Sequence, residues 1–173
     1  DVRNKRMDVF AVPLPADTST ADQTLVSTGA SEGGPRISPD GRYVAYVSNE
    51  SGQNEIYLTR FPEPGGKWQV STAGGNRPRW DPAGGTLFYT SPTELRAAET
   101  ATSPSLQLGT PRPVFNTGNA RVVLARTSGF DVFRGGQRFI ATYAGESAVK
   151  QQLKIVVVEN WASEFRTTQT AKK

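Results

Sequence analysis

The feature that most constrains this chain is a repeat. PRISPDGRYVAYVS at Pro35 to Ser48 returns as PRWDPAGGTLFYTS at Pro78 to Ser91, 43 residues later. The match is positional: Pro35 pairs with Pro78, Arg36 with Arg79, Pro39 with Pro82, Gly41 with Gly84 and Tyr46 with Tyr89. A weaker third copy, FDVFRGGQRFIAT at Phe130 to Thr142, follows at an offset of 52, the surplus falling in the loop around Asn116 to Ser128. A repeat of about 40 residues builds one supersecondary unit several times over, and each unit needs a neighbour to bury its faces.

Each copy has the same internal grammar. In the first, Asp40-Gly41 supplies a tight turn, because Gly tolerates positive φ and Asp hydrogen-bonds its own backbone. Tyr43 to Val47 reads as the second strand, Glu55 to Phe61 (EIYLTRF) as the third, and Lys67 to Thr72 (KWQVST), after the Pro-Gly-Gly loop at Pro64 to Gly66, as the fourth. Four short strands in about 43 residues is the signature of a propeller blade. The expected fold is therefore all-β, a β-propeller of four-stranded antiparallel blades. Seventeen Gly and twelve Pro suit many tight turns rather than a helical bundle.

Counting strands gives about three and a half blades. Residues 1–32 carry the end of a preceding blade, with strands at Asp8 to Leu14 and Gln23 to Ser27. Residues 33–74 make one blade and 75–128 a second with its loop. Residues 129–165 make the last blade, with strands at Gly129 to Phe133, Arg138 to Tyr143 and Gln152 to Glu159 and a short terminal helix over Asn160 to Phe165; 166–173 form a tail. Closed propellers use four to eight blades, so the chain is expected to meet further blades or to associate with itself. An apolar sheet face, such as that carrying Val44 and Tyr46, is expected to lack a neighbour. The outer strands EIYLTRF, ELRAAET and QLKIVVV are expected to be able to recruit a partner strand. Ile37, Trp80 and Val132, at equivalent first-strand positions, are expected to fill the core between blades, and Trp68 to sit in the core or at a blade edge.

The chain contains no His and no Cys, which removes imidazole and thiolate chemistry, including His-activated nucleophiles and His or Cys metal sites. With no Cys, the redox compartment is open: cytosol and bacterial periplasm fit equally. The net charge of +4 is spread along the chain, with clusters at Arg3, Lys5, Arg6 and at Lys172, Lys173 that lack interleaved aromatics, so nucleic acid is not an expected partner. No apolar run reaches the roughly 18 residues that span a bilayer, and the first residues, DVRNKRMDVF, lack the apolar stretch of a signal peptide.

Arg36, Arg79 and Asp131 occupy matching first-strand positions and are expected to approach one another around a propeller axis, with Arg77 adding charge. They read either as ion pairs lining a channel or as a polar pocket for an anionic ligand or peptide carboxylate. No catalytic residue, metal ligand or cofactor is expected. Asp40, Asp131 and Glu55 form no calcium-loop spacing, and Asp40 is accounted for by its turn. PEPGG at Pro62 to Gly66 reads as a surface loop.

GGPRISPDGRYVAYVSNESGQNEIYLTRFPEPGGKWQVS and GGNRPRWDPAGGTLFY resemble the Pro-Asp repeats of TolB-like β-propellers, nearest to those attached to bacterial serine/threonine protein kinases. LKIVVVENWASEF at Leu153 to Phe165 is similar to the closing strand and terminal helix of such chains. The resemblance covers roughly Gly33 to Phe165. The sequence departs from it at Asp81 and Ala83, where the pattern has Ser and Asp, and at Phe133 to Gly135, where it has Ser-Pro-Asp. It implies a module for sensing, scaffolding or binding a protein or peptide, within a larger bacterial protein, and favours a periplasmic or extracytoplasmic setting over the cytoplasm. No glycine-rich loop, catalytic Asp loop or metal-binding Asp motif of a kinase occurs in these residues. The alternatives are the accessory propeller of a prolyl-oligopeptidase-like hydrolase, whose Ser-His-Asp set a His-free chain cannot supply, and a structural subunit assembling through open blades.

Overall fold

A computed structural model of the chain describes residues 6–13, 21–116, 130–144 and 153–159. All regular structure among them is β, and the strands pair antiparallel. The strands are β1 (Val9–Ala11), β2 (Gln23–Val26), β3 (Glu32–Ile37), β4 (Tyr43–Ser48), β5 (Glu55–Arg60), β6 (Trp68–Gln69), β7 (Asn76–Trp80), β8 (Thr86–Thr90), β9 (Glu94–Ala101), β10 (Gln107–Leu108), β11 (Arg112–Asn116), β12 (Phe130–Val132), β13 (Arg138–Ala144) and β14 (Leu153–Glu159). They form meanders in the orders β1-β2, β3-β4-β5-β6, β7-β8-β9-β10 with β11 also on β9, and β12-β13-β14. The described residues are all-β, a series of consecutive antiparallel meanders of which β3 to β6 is a complete four-stranded one, in keeping with the expected propeller blades. The expected helix over Asn160 to Phe165 and the loop around Asn116 to Ser128 lie almost wholly outside the described residues.

The repeat is visible as a repeated turn. Ser38 N donates to Tyr43 O (2.8 Å) and Gly41 N to Ser38 O (2.8 Å). Asp81 N to Thr86 O (2.9 Å) with Gly84 N to Asp81 O (2.8 Å) copies this, as does Phe133 N to Arg138 O (2.9 Å) with Gly136 N to Phe133 O (3.0 Å). The three equivalent glycines, Gly41, Gly84 and Gly136, have φ of 71°, 81° and 63°. A side chain at that φ strains the backbone, so the turn conserves its glycine while its other residues drift from Pro-Asp to Pro-Ala to Arg-Gly.

The chain divides into two compact units, Asp1–Pro78 and Arg79–Lys173. In the first, Val9, Leu25 and Val26 of the two-stranded sheet share a core with Val44, Tyr46 and Tyr57 of the next. Tyr46 and Tyr57 stack across the β4–β5 register at 5.9 Å between ring centroids. The face of Val44 and Tyr46 is thus covered: both are buried because β1 and β2 lie on them, contrary to the sequence expectation of an open face. In the second unit, Phe88, Leu95, Ala97 and Val114 of one sheet pack with Phe130, Val132, Phe139 and Ala141 of the next. Phe139 is the hub, meeting Phe88 edge-on at 5.1 Å and Phe115 at 6.1 Å.

Three strand expectations are corrected by pairing and packing. β5 and β9, proposed as open outer strands, are already paired on their outer edges by β6 and by β10 and β11. One fourth strand is split, because β9 is long enough to take β10 at Thr100–Ala101 and β11 at Glu94–Ala97. The fourth-strand side also shows a spacing that the sequence reading missed. Val26, Val70 and Val114 recur 44 residues apart and all three are buried. Ile37 is the third correction: it is 54% exposed, whereas its equivalents Trp80 and Val132 are 8% and 5% exposed.

Candidate functional site

The first strands carry the residues singled out from sequence, and alternation along a strand decides what each presents. On β3, Pro35, Arg36 and Ile37 are all exposed; on β7 the matching Pro78 and Trp80 are buried and Arg79 is half-buried. Arg36 turns one guanidinium nitrogen, Nη1, back to Pro35 O at 2.7 Å. Arg79 and Arg77 are engaged in interactions of their own. Asp131 is exposed, and its Oδ1 accepts from Val132 N at 2.9 Å. Arg36 and Arg77 belong to the first unit and Arg79 and Asp131 to the second, so the four are described within their separate units.

Arg77 stands out by its backbone. Its φ of 52° is left-handed, and the equivalent residue one repeat earlier is Gly34 at 61°. A non-glycine residue there costs about 1 kcal/mol, so the position keeps an arginine against local preference.

The buried carboxylates are used by the scaffold. Glu55 accepts from Gln53 Nε2 at 2.6 Å, from Gly74 N at 2.8 Å and from Ser71 Oγ, while Ser71 Oγ also accepts from Ile56 N at 2.8 Å. Asp81 Oδ1 accepts from Ala83 N at 2.8 Å and from Gly135 N at 2.9 Å, which ties one repeat's turn to the next. Sequence comparison marked Asp81 only as a departure from Ser. Ser38, at the same place in the first repeat, bonds locally instead, accepting from Tyr43 N at 3.0 Å and donating to Asp40 Oδ1 at 2.6 Å.

Glu32 is fully buried. Thr28 Oγ1 and Ser48 Oγ donate to its Oε1, the latter at 3.3 Å, and its Oε2 has no hydrogen-bond partner. Nearby, burial raises the Tyr46 phenol above its ordinary value of 10, with Glu50, Glu32 and Tyr57 adding to the effect. Glu50 is itself paired with Lys67 at 2.8 Å. Trp68, expected in the core or at an edge, is half-buried on β6 and meets the Tyr43 ring edge-on at 5.8 Å. Among the described residues no three His, Cys, Asp or Glu side chains are grouped to hold a metal ion, and no helix is long and apolar enough to cross a membrane.

No protein-family model matches the chain, and no curated protein matches it. Among solved structures it is similar to TolB from Acinetobacter baumannii, with 14% identity and a TM-score of 0.42 over 81% of this chain. The chain spans 44% of the length of that structure.

Proposed function

We propose that this chain is a non-enzymatic β-propeller module that binds a protein or peptide, serving sensing or scaffolding within a larger bacterial protein. The observation that carries the reading is how the polar groups are deployed. Among the described residues, two of the buried carboxylates, Glu55 and Asp81, spend their lone pairs on backbone amides and hydroxyls that hold the repeats together, and the third, Glu32, accepts from the Thr28 and Ser48 hydroxyls through one oxygen. The first strands carry cations instead: Arg36 exposed, Arg77 and Arg79 half-buried, with Asp131 as the matching acid. Guanidinium groups in such positions suit carboxylate recognition, because the planar fork donates two parallel hydrogen bonds to the two carboxylate oxygens. Attachment to a protein kinase domain rests only on the resemblance of GGPRISPDGRYVAYVSNESGQNEIYLTRFPEPGGKWQVS and GGNRPRWDPAGGTLFY to such propellers.

Calorimetric titration with an acidic peptide and its Gln/Asn counterpart tests the reading. The acidic peptide is expected to bind and the neutral one to bind weakly. Arg36→Ala is expected to remove about 1.5 kcal/mol, roughly tenfold in affinity. Equal binding of both peptides, or substrate turnover that one internal substitution abolishes, contradicts it.

A further inference from the structure

Among the described residues, Arg77 is the one residue other than glycine with a positive φ, 52°. Two local preferences oppose it. A side chain in the left-handed region crowds the following carbonyl, and the residue before a proline, here Pro78, is pushed toward extended backbone. The bend itself is imposed from both sides. Gly75 N donates to Asn54 O at 2.8 Å and Asn54 Nδ2 to Asn76 Oδ1 at 3.0 Å on one side, and the buried Pro78 follows on the other. A strained conformation persists where its surroundings over-determine it. Glycine meets the same demand without strain. The equivalent residue of the first repeat is Gly34, at 61° and also before a proline, and the sequence of the third copy again has glycine there, Gly129. The bend therefore accounts for the backbone of Arg77 and leaves its side chain to be explained.

We propose that Arg77 is the specificity-determining residue of the carboxylate-recognising surface, an arginine kept at a glycine position because its guanidinium pairs with a carboxylate of an acidic peptide. The inference rests on the protein-binding reading above and narrows it to one residue. Arg77 is half-buried and shares the first unit with the exposed Arg36. A guanidinium on an over-determined backbone has less freedom to lose on binding than one on a loose loop, so its fork of donors is held ready for a planar anion. Strain kept for a ligand makes a paired prediction: replacing the arginine by glycine relieves the backbone and weakens binding at once. Arg77 is also engaged in an interaction within the chain. If that interaction is the reason for the arginine, the paired prediction reverses, because its loss destabilises the chain.

The test titrates the 173-residue chain calorimetrically with a capped peptide of alternating Glu and Ser and with its Gln-Ser counterpart, and follows thermal unfolding without peptide. Arg77→Gly is expected to raise the unfolding midpoint by about 2–4 °C, the relief of strain outweighing the looser unfolded chain. The same variant is expected to lower the preference for the acidic peptide at least tenfold. Arg77→Lys keeps the charge and the strained side chain but loses the fork, so its midpoint is expected to stay in place and its preference to fall between the two. A lower midpoint for Arg77→Gly overturns the proposal and assigns the arginine to the scaffold. A preference undiminished in Arg77→Gly but lost in Arg36→Ala overturns this inference alone and leaves the broader reading standing. An unsubstituted chain that binds neither peptide overturns both.

Discussion

At the scale of single residues, the repeats differ most where a side chain has been recruited to a tertiary task. Asp81 replaces the serine of the first repeat and reaches the Gly135 amide 54 positions away. Shortening it in Asp81→Ser removes a part-buried hydrogen bond to a charged group, which costs at most about 1.5–3 kcal/mol because the exposed Gly135 amide can turn to water. Asp81→Asn retains an acceptor and is expected to lose less; urea unfolding of both variants checks the order. Tyr46 makes a second residue-level prediction. Its folded phenol holds the proton more tightly than the ordinary value of 10, because burial and the nearby Glu50 and Glu32 oppose a negative charge. Below that value both folded and unfolded states are protonated and the group leaves stability unchanged by pH. Above it the unfolded state releases a proton that the folded state keeps, so stability falls by about 1.4 kcal/mol per pH unit. Tyr46→Phe is expected to flatten most of this alkaline arm in unfolding curves taken across pH 9 to 11.

At the scale of elements, the burial of a first strand depends on what the preceding sheet brings to it. Trp80→Ala is therefore expected to cost about 3–5 kcal/mol, whereas Ile37→Ser stays within about 0.5 kcal/mol, as for an exposed site. Phe139→Ala removes the hub of a four-ring cluster and belongs with Trp80 in the first class. Thermal unfolding of the three variants separates the classes, and equal losses at Ile37 and Trp80 would contradict the burial assigned to β3. The turns and second strands were legible in the sequence because their chemistry is local: Asp40-Gly41 and Gly84 declare a turn, and TLFYT declares a strand, whatever surrounds them. The openness of Ile37 was not legible, since the same alternating pattern serves a buried or an exposed strand and only the opposing sheet decides. The split of one fourth strand into β10 and β11 escaped for a similar reason, depending on the length of β9 rather than on any residue in the split. Of the candidate site, the first-strand placement of Arg36, Arg79 and Asp131 was legible from the repeat. The left-handed backbone of Arg77 was not, because arginine carries no signal for it and only its alignment with Gly34 could have raised the question.

At the scale of the whole molecule, the central claim is that a repeat of 43 residues specifies one antiparallel meander several times, each second strand pairing with its third in an equivalent register. Tyr46 stands opposite Tyr57, Tyr89 opposite Arg96 and Ala141 opposite Val156. β4 and β8 are buried on both faces, and because residues alternate between the faces, a slip by one position would send each side chain into the opposite packing layer, so register and core stand or fall together. Cross-strand nuclear Overhauser contacts in the isotopically labelled chain measure this directly. The account predicts backbone contacts at all three opposed pairs, with ring contacts between Phe88 and Phe139. Helical i to i+3 contacts within the repeats, or second strands paired to their third strands in registers that differ from one repeat to the next, would contradict it.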